Sequence, residues 1–200
     1  RLRFPLASLR PPKSDRLLDA MDPEASLSSA INESVALVPY DPAWPAQFEA
    51  ERSRLLEAFP GAFLAIEHFG STAVPGLRAK PIIDILAGVE SMAQADALLE
   101  PLCQSRYTTS AAFNAGLVGR RWLMRFSRGR RTHHLHLVVH GSLQWRRRIR
   151  FRDALRADPE VVAEYQTLKE HLAEKFRADR EAYSSAKDDF IARVLRDVGF

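Results

Sequence analysis

The feature that most constrains the fold of this 200-residue chain is a polar, glycine-bearing loop at residues 70–80 between two apolar runs. The run at 64–66 leads into the loop, and a second run leaves it at Pro81 and continues to Val89. Short apolar runs bounded by Gly and Pro are typical of strands. The second run carries one acid, Asp84, and a lone carboxylate in a buried strand needs a partner.

The order of elements predicts a mixed α/β (α+β) domain. Strands are predicted at about 63–69, 81–89, 122–126 and 132–139, the last two as an antiparallel hairpin with a somewhat long connection at 128–130. Helices are predicted from Pro45 onward, at about 92–105, and at about 142–156, 159–176 and 179–197. A strand-rich part followed by a helical third favours a small sheet flanked by helices.

Length and composition predict one globular domain. Residues 1–34 are punctuated by Pro, Ser and Asn and are interpreted as a flexible N-terminal arm, with the folded domain at 35–200. The single cysteine, Cys103, excludes an intrachain disulfide and a cysteine zinc cluster, which favours a reducing cytoplasm. No apolar run reaches the roughly 18–20 residues that span a bilayer, so no membrane association is expected.

Loop 70–80 has the composition of a phosphate site. Gly70 allows a close backbone approach, Ser71 and Thr72 offer hydroxyl groups, and Arg78 and Lys80 can neutralise charge. Neither the Walker spacing nor the dinucleotide fingerprint is present, so an ordinary strand-to-strand loop remains the alternative.

Strand alternation predicts a second cluster. His134 and His136 share one face of their strand, and if that face meets Asp84, with Glu67 as a further donor, the set could hold Mn²⁺, Zn²⁺ or a poorly held Mg²⁺. The alternative is that the histidines lie on an open sheet face and that Asp84 pairs with Lys80 or an arginine.

Two further patterns carry charge. Tyr183 and Lys187 lie four residues apart in a predicted helix, so both could reach one ligand, although a core tyrosine beside a snorkelling lysine is the commoner case. Residues 119–156 contain twelve arginines and one acid, which predicts either an RNA-binding surface or a solvated basic face.

The chain resembles the GrpB family, a set of small bacterial proteins with a nucleotidyltransferase-like fold. The resemblance spans about 36–197, and its main motifs are at 38–44, 67–77, 80–85, 132–137, 151–156 and 183–190. It implies a polymerase-β-like core in which Gly70 and Ser71 open the phosphate loop. Related sequences also occur fused to dephospho-coenzyme A kinase, which implies a nucleotide or coenzyme A connection.

In active members of the broader superfamily, two alternating acids and a third from a later strand hold two Mg²⁺ ions. This chain matches the first acid with Asp84 but has Leu86 at the second position, and histidines stand where the third is expected. The first hypothesis is therefore a nucleotidyltransferase-like enzyme with Asp84, Glu67 and His136 as catalytic residues. The second is a non-catalytic nucleotide- or coenzyme A-related phosphate-binding module, and the third is an RNA-binding protein. The sequence does not indicate an oligomeric state.

Overall fold

The computed structural model of the protein describes residues 23–200, so most of the predicted N-terminal arm lies outside the described residues. Residues 23–34, also assigned to that arm, include helix α1 (Pro23–Asn32). Ala30 is buried and its carbonyl accepts a hydrogen bond from Arg131 Nε at 2.9 Å, and Glu33 forms an ion pair with Arg180 at 3.0 Å. Ala30 of α1 and Glu33 after it therefore contact the domain, and the boundary at 35 stays a prediction.

The described strands form one mixed four-stranded sheet. Its strands are β1 (Ala65–Phe69), β2 (Ile83–Val89), β3 (Arg121–Ser127) and β4 (Arg130–Val139), in the order β1-β2-β4-β3. β2 pairs with β1 in the antiparallel and with β4 in the parallel direction, and β3 and β4 are antiparallel. The predicted mixed sheet flanked by helices is confirmed.

The connection between β3 and β4 is tighter than the sequence suggests. Only Arg128 and Gly129 lie between the strands, and both have positive φ, +51° and +72°. Two left-handed residues match the twist of a hairpin, so a two-residue turn replaces the longer connection that was expected.

Seven further helices follow α1, and a short 3-10 helix (Ser71–Ala73) lies in the loop after β1. They are α2 (Trp44–Ala58), α3 (Met92–Gln104), α4 (Ala111–Ala115), α5 (Leu143–Ala157), α6 (Pro159–Lys175), α7 (Arg180–Ser185) and α8 (Asp188–Asp197). The helical C-terminal third is confirmed, but the helix predicted over 179–197 is interrupted after Ser185, so Tyr183 and Lys187 do not share one helix. None of the described helices is long and apolar enough to cross a membrane.

The sheet has one apolar face and one mixed face. Ile83 and Ile85 of β2 belong to the main core, which α2 and α3 also build. On the opposite face Leu86 and Val138 pack against Trp145 of α5. Because both faces of β2 are covered, its sequence is almost continuously apolar, and Asp84 is the exception on the mixed face.

Candidate functional site

The structure brings Gly70 and Asp84 into close contact. A Cβ atom at Gly70 would lie 2.4 Å from Asp84 Oδ2, and the φ of Gly70 is +72°. Only glycine combines this positive φ with the space that the carboxylate needs. The loop glycine predicted to let a ligand approach therefore admits the carboxylate of β2.

Two histidines of β4 lie beside this carboxylate, because the parallel register pairs Asp84 with His134 and Leu86 with His136. His134 Nδ1 lies 3.0 Å from Asp84 Oδ1. One potential ligand atom from each of Asp84, His134 and His136 lies within 4.8 Å of the others. The predicted convergence of these three residues is therefore present in the structure.

Three lysines interact electrostatically with the same carboxylate. The Lys80 and Lys187 Nζ atoms lie 5.1 and 4.1 Å from the centroid of the Tyr183 ring, which is buried. Lys169 of α6 is only 2% exposed, and its ammonium group donates to the Arg78 carbonyl and lies 5.3 Å from the centroid of the Tyr165 ring. We call Lys80, Lys169 and Lys187 the lysine cluster.

Burial and mutual repulsion make the lysine cluster unusual. Burial and the charge of neighbouring cations lower the pKa of Lys80 to about 8 and those of Lys169 and Lys187 to about 7, whereas the Asp84 carboxylate raises all three. Asp84 acts on all three ammonium groups, whereas Glu33, Glu170 and Asp188 each act on one. Burial and neighbouring cations outweigh these carboxylates, so the protonated cluster attracts an anion.

The histidines respond to burial in the same sense. Burial lowers the pKa of His134, which its hydrogen bond to Asp84 partly offsets. Burial and the charges of Arg120 and Arg148 lower the pKa of His136 well below its usual value. Both imidazoles are therefore neutral near pH 7, the form in which histidine binds metal ions.

Ser71 lies at the edge of this region. Its side chain interacts with that of Tyr165, the aromatic residue of α6 beside Lys169. Lys80, Ser71, Tyr183 and Lys187, all predicted from the sequence, thus lie around one part of the structure.

Three other predicted residues are engaged elsewhere. Glu67 lies outside the Asp84 group, because its carboxylate accepts a hydrogen bond from Arg152 at 2.7 Å. Thr72 is buried, with its hydroxyl 3.0 Å from His68 Nε2 and 3.2 Å from the Ile82 carbonyl, so it stabilises the loop. The exposed Arg78 guanidinium lies 3.6 Å from Glu170 and 3.3 Å from the Leu37 carbonyl, which directs it away from the lysine cluster.

Lys169 was not predicted as a site residue. It occupies an inward position of α6 together with Tyr165 and Leu172, which are also buried. A lysine at an apolar position of an amphipathic helix was the available signal. The tertiary partners that make it significant, Lys80 and Asp84, come from distant parts of the chain.

Much of the arginine-rich region makes contacts within the protein. Arg121 pairs with Asp96, Arg125 with Glu51, and Arg152 with Glu67 and Asp153. Arg146, Arg147 and Arg150 are exposed on α5. The RNA-binding hypothesis therefore rests on a smaller basic surface than the sequence count suggests, and it stays a prediction.

Comparison with known proteins gives consistent results. The sequence profile of the family described as GrpB protein matches residues 34–197. A UPF0157 protein of Pseudomonas aeruginosa is 40% identical over 178 residues, covering 84% of this chain and 69% of the relative. The crystal structure of the conserved protein GrpB from Enterococcus faecalis matches with a TM-score of 0.71 at 37% identity, over 81% of this chain and 96% of that one.

A further relative is a longer protein. A Mycolicibacterium paratuberculosis protein named dephospho-CoA kinase is 32% identical over 185 residues. The match covers 81% of this chain but only 45% of that protein, so the chain corresponds to less than half of it.

Proposed function

Because the chain belongs to the GrpB family, we propose that it binds a nucleotide or another phosphate ligand between loop 70–80 and the lysine cluster. The ligand's phosphates contact Lys80, Lys169 and Lys187, with the Ser71 and Tyr183 side chains at the edge of the site. In this proposal Asp84 lies beside the lysine cluster, next to the phosphates at which the reaction takes place.

The observation that carries the proposal is the buried ammonium group of Lys169, which interacts with the Asp84 carboxylate together with the partly buried Lys80 and Lys187. An uncompensated buried charge is costly, and proteins retain such groups where a ligand or partner offsets the cost. A phosphate with two negative charges supplies the missing counter-charge and accepts hydrogen bonds from several lysines at once.

The similarity to part of a protein named dephospho-CoA kinase supports a nucleotide or coenzyme A-related ligand. Phosphates are common to nucleotides and coenzyme A precursors, and the lysine cluster recognises that shared part. The base or pantetheine end of the ligand is bound by residues other than the lysine cluster.

The chemistry we propose at this site is nucleotidyl transfer, in which an acceptor oxygen displaces pyrophosphate from a nucleoside triphosphate. Lysines can stabilise the charge that develops on the phosphates during such a displacement. The alternative is a binding module without turnover, which Leu86 at the position of the second acid favours. Turnover in a triphosphate screen that Asp84→Ala abolishes would exclude the module.

Calorimetric titration tests the binding step. ATP, 3′-dephospho-coenzyme A and inorganic phosphate are titrated into the wild type and into Lys169→Met at pH 7 in the presence of EDTA. We expect the wild type to bind at least one of them and Lys169→Met to bind it at least about tenfold more weakly, equivalent to about 1.4 kcal/mol.

The matched control is Lys175→Met, which removes an exposed lysine from the same helix. It should leave the affinity unchanged, and Lys187→Met is a second test variant should Lys169→Met fold poorly. Absence of binding to all three ligands, or equal affinity for wild type, Lys169→Met and Lys187→Met, would refute the proposal.

A further inference from the structure

We infer that Asp84, His134 and His136 bind one divalent transition-metal ion such as Zn²⁺ or Mn²⁺, in place of the pair of Mg²⁺ ions that the family resemblance implies. The inference deepens the proposed function and rests on it for the phosphate beside the ion. The three side chains themselves are sufficient to define the ion's position.

The donor set does not fit a pair of Mg²⁺ ions. Mg²⁺ prefers oxygen ligands, and two ions held together need several bridging carboxylates. The group found among the described residues contains one carboxylate and two imidazoles, and Glu67, the other predicted acid, is bound by Arg152. A nitrogen-rich set of this kind suits Zn²⁺, Mn²⁺ and similar ions.

His134 and Asp84 are already in contact without an ion. His134 Nδ1 lies 3.0 Å from Asp84 Oδ1, which places the ring proton on Nδ1 and leaves the lone pair on Nε2. His134 Nε2 is buried and has no hydrogen-bond partner within residues 23–200. An ion bound by both Asp84 and His134 therefore takes the place of the Nδ1 proton, and Nε2 then carries the ring proton.

The spacing is close to that of a metal site. The three potential ligand atoms lie within 4.8 Å of one another, whereas ligands at zinc distances in a tetrahedral site are about 3.4 Å apart. Small side-chain rotations therefore close the site around an ion, and the backbone pairing of β2 with β4 does not need to change.

Neighbouring cations oppose the ion and determine how tightly it binds. Arg120 Nη1 lies 3.2 Å from His136 Nδ1, and because a guanidinium group only donates, the imidazole accepts at this nitrogen. The ion must compete with this contact for His136 and is also repelled by the lysine cluster. Removal of Arg120 should therefore strengthen ion binding, and phosphate bound to the lysines should do so as well.

The test is a titration of the untagged, chelator-treated, nucleotide-free protein with Zn²⁺ and with Mn²⁺, followed by calorimetry. We expect one ion per chain, at least about tenfold weaker binding in His134→Ala, and tighter binding in Arg120→Ala. His171→Ala, which removes an exposed histidine of α6, is the matched control and should bind as the wild type does.

Two results would overturn the inference: no stoichiometric ion in the wild type, or wild-type affinity in His134→Ala. If His134→Ala does not fold, Asp84→Asn replaces it, since the amide oxygen can still accept from His134 Nδ1 while the charge is lost. Ion binding at wild-type strength in that variant is equally contrary to the inference.

The two proposals fail separately. If phosphate binding depends on Lys169 and persists in EDTA but no ion binds in the metal titration, the metal site is refuted. The proposed function is then still supported. Ion binding that depends on His134, without binding of any phosphate ligand, retains the metal site and removes the proposed function.

Discussion

At the scale of single residues, Gly70 couples the backbone of the loop to the chemistry of the site. Its positive φ turns the chain out of β1, and its missing side chain leaves room for Asp84 Oδ2. Asp84 in turn holds His134 through Oδ1. The position of the His134 imidazole therefore depends, through Asp84, on the absence of a side chain at Gly70.

Gly70→Ala is expected to lower the free energy of unfolding by about 1–3 kcal/mol through backbone strain, with an added cost from the collision with Asp84. Denaturant unfolding measures the loss. The displaced carboxylate should also weaken binding at the proposed metal site.

Gly76→Ala separates the two effects. Gly76 also has a positive φ, +79°, but nothing lies within 4 Å of the Cβ atom that alanine would add. Gly76→Ala should therefore lose stability through backbone strain alone. Equal losses of stability in the two variants would contradict the assigned role of the Gly70–Asp84 contact.

At the scale of secondary-structure elements, α6 brings Tyr165 and Lys169 to the site. Its start is strongly encoded, because Asp158 Oδ1 accepts hydrogen bonds from Glu160 N at 2.8 Å and Val161 N at 3.3 Å, and Pro159 occupies the first turn. An Asp-Pro start of this kind was predicted from the sequence and is confirmed.

Asp158→Ala should destabilise the protein by about 1 kcal/mol, since it leaves helical amide groups without an acceptor. Urea unfolding provides the measurement, and Asp158→Ser, which retains a capping oxygen, should recover most of the loss. Because Lys169 lies three turns further along α6, phosphate affinity should be unchanged. A variant as stable as the wild type would show that the cap contributes nothing.

At the scale of the whole molecule, charge is distributed unevenly between surface and interior. The arginine-rich region places part of its charge in ion pairs such as those of Arg121 and Arg125. In the lysine cluster, by contrast, Lys169 is buried and the other two lysines are partly buried. The arginine-rich region is the more prominent of the two in the sequence. The lysine cluster is nevertheless the one in which burial lowers the pKa values of lysines to about 7 or 8.

Stability should therefore rise between pH 7 and pH 9. Burial lowers the pKa values of Lys80, Lys169 and Lys187 to about 8, 7 and 7, below the value of about 10.4 for a lysine in an unfolded chain. In this window the unfolded state binds more protons, so the free energy of unfolding increases with pH, and the gain is lost as pH falls through the lowered pKa values.

Urea midpoints of the ligand-free protein at several pH values measure this slope. Lys169→Met should reduce it, and Lys175→Met should not. The window excludes the histidines: burial lowers the pKa values of His68 and His133 to about 4, so their effect appears in acid. A flat profile, or a fall in stability towards pH 9, would be inconsistent with a buried, charged cluster.

The sequence determined the local structure of most elements and the composition of the site. Periodicity identified the four strands of the sheet, and caps and prolines identified helices such as α6, because these signals depend on neighbouring residues. Strand alternation also placed His134 and His136 on one face of their strand, whereas the register that brings this face to Asp84 came from the structure. The short hairpin turn and the break after Ser185 were not predicted, since a positive φ at Arg128 and the end of a helix at Ser185 leave weak local signals.

Only the tertiary structure decided which polar groups are available at the site. Glu67, Thr72 and Arg78 have the chemistry of ligands, yet each is engaged by residues whose positions depend on the folded chain. Lys169 comes from a helix about 90 residues beyond the loop, and it joins the site because α6 packs against that loop. Long-range packing and burial set these charges and contacts, and neither quantity is encoded in a local pattern of residues.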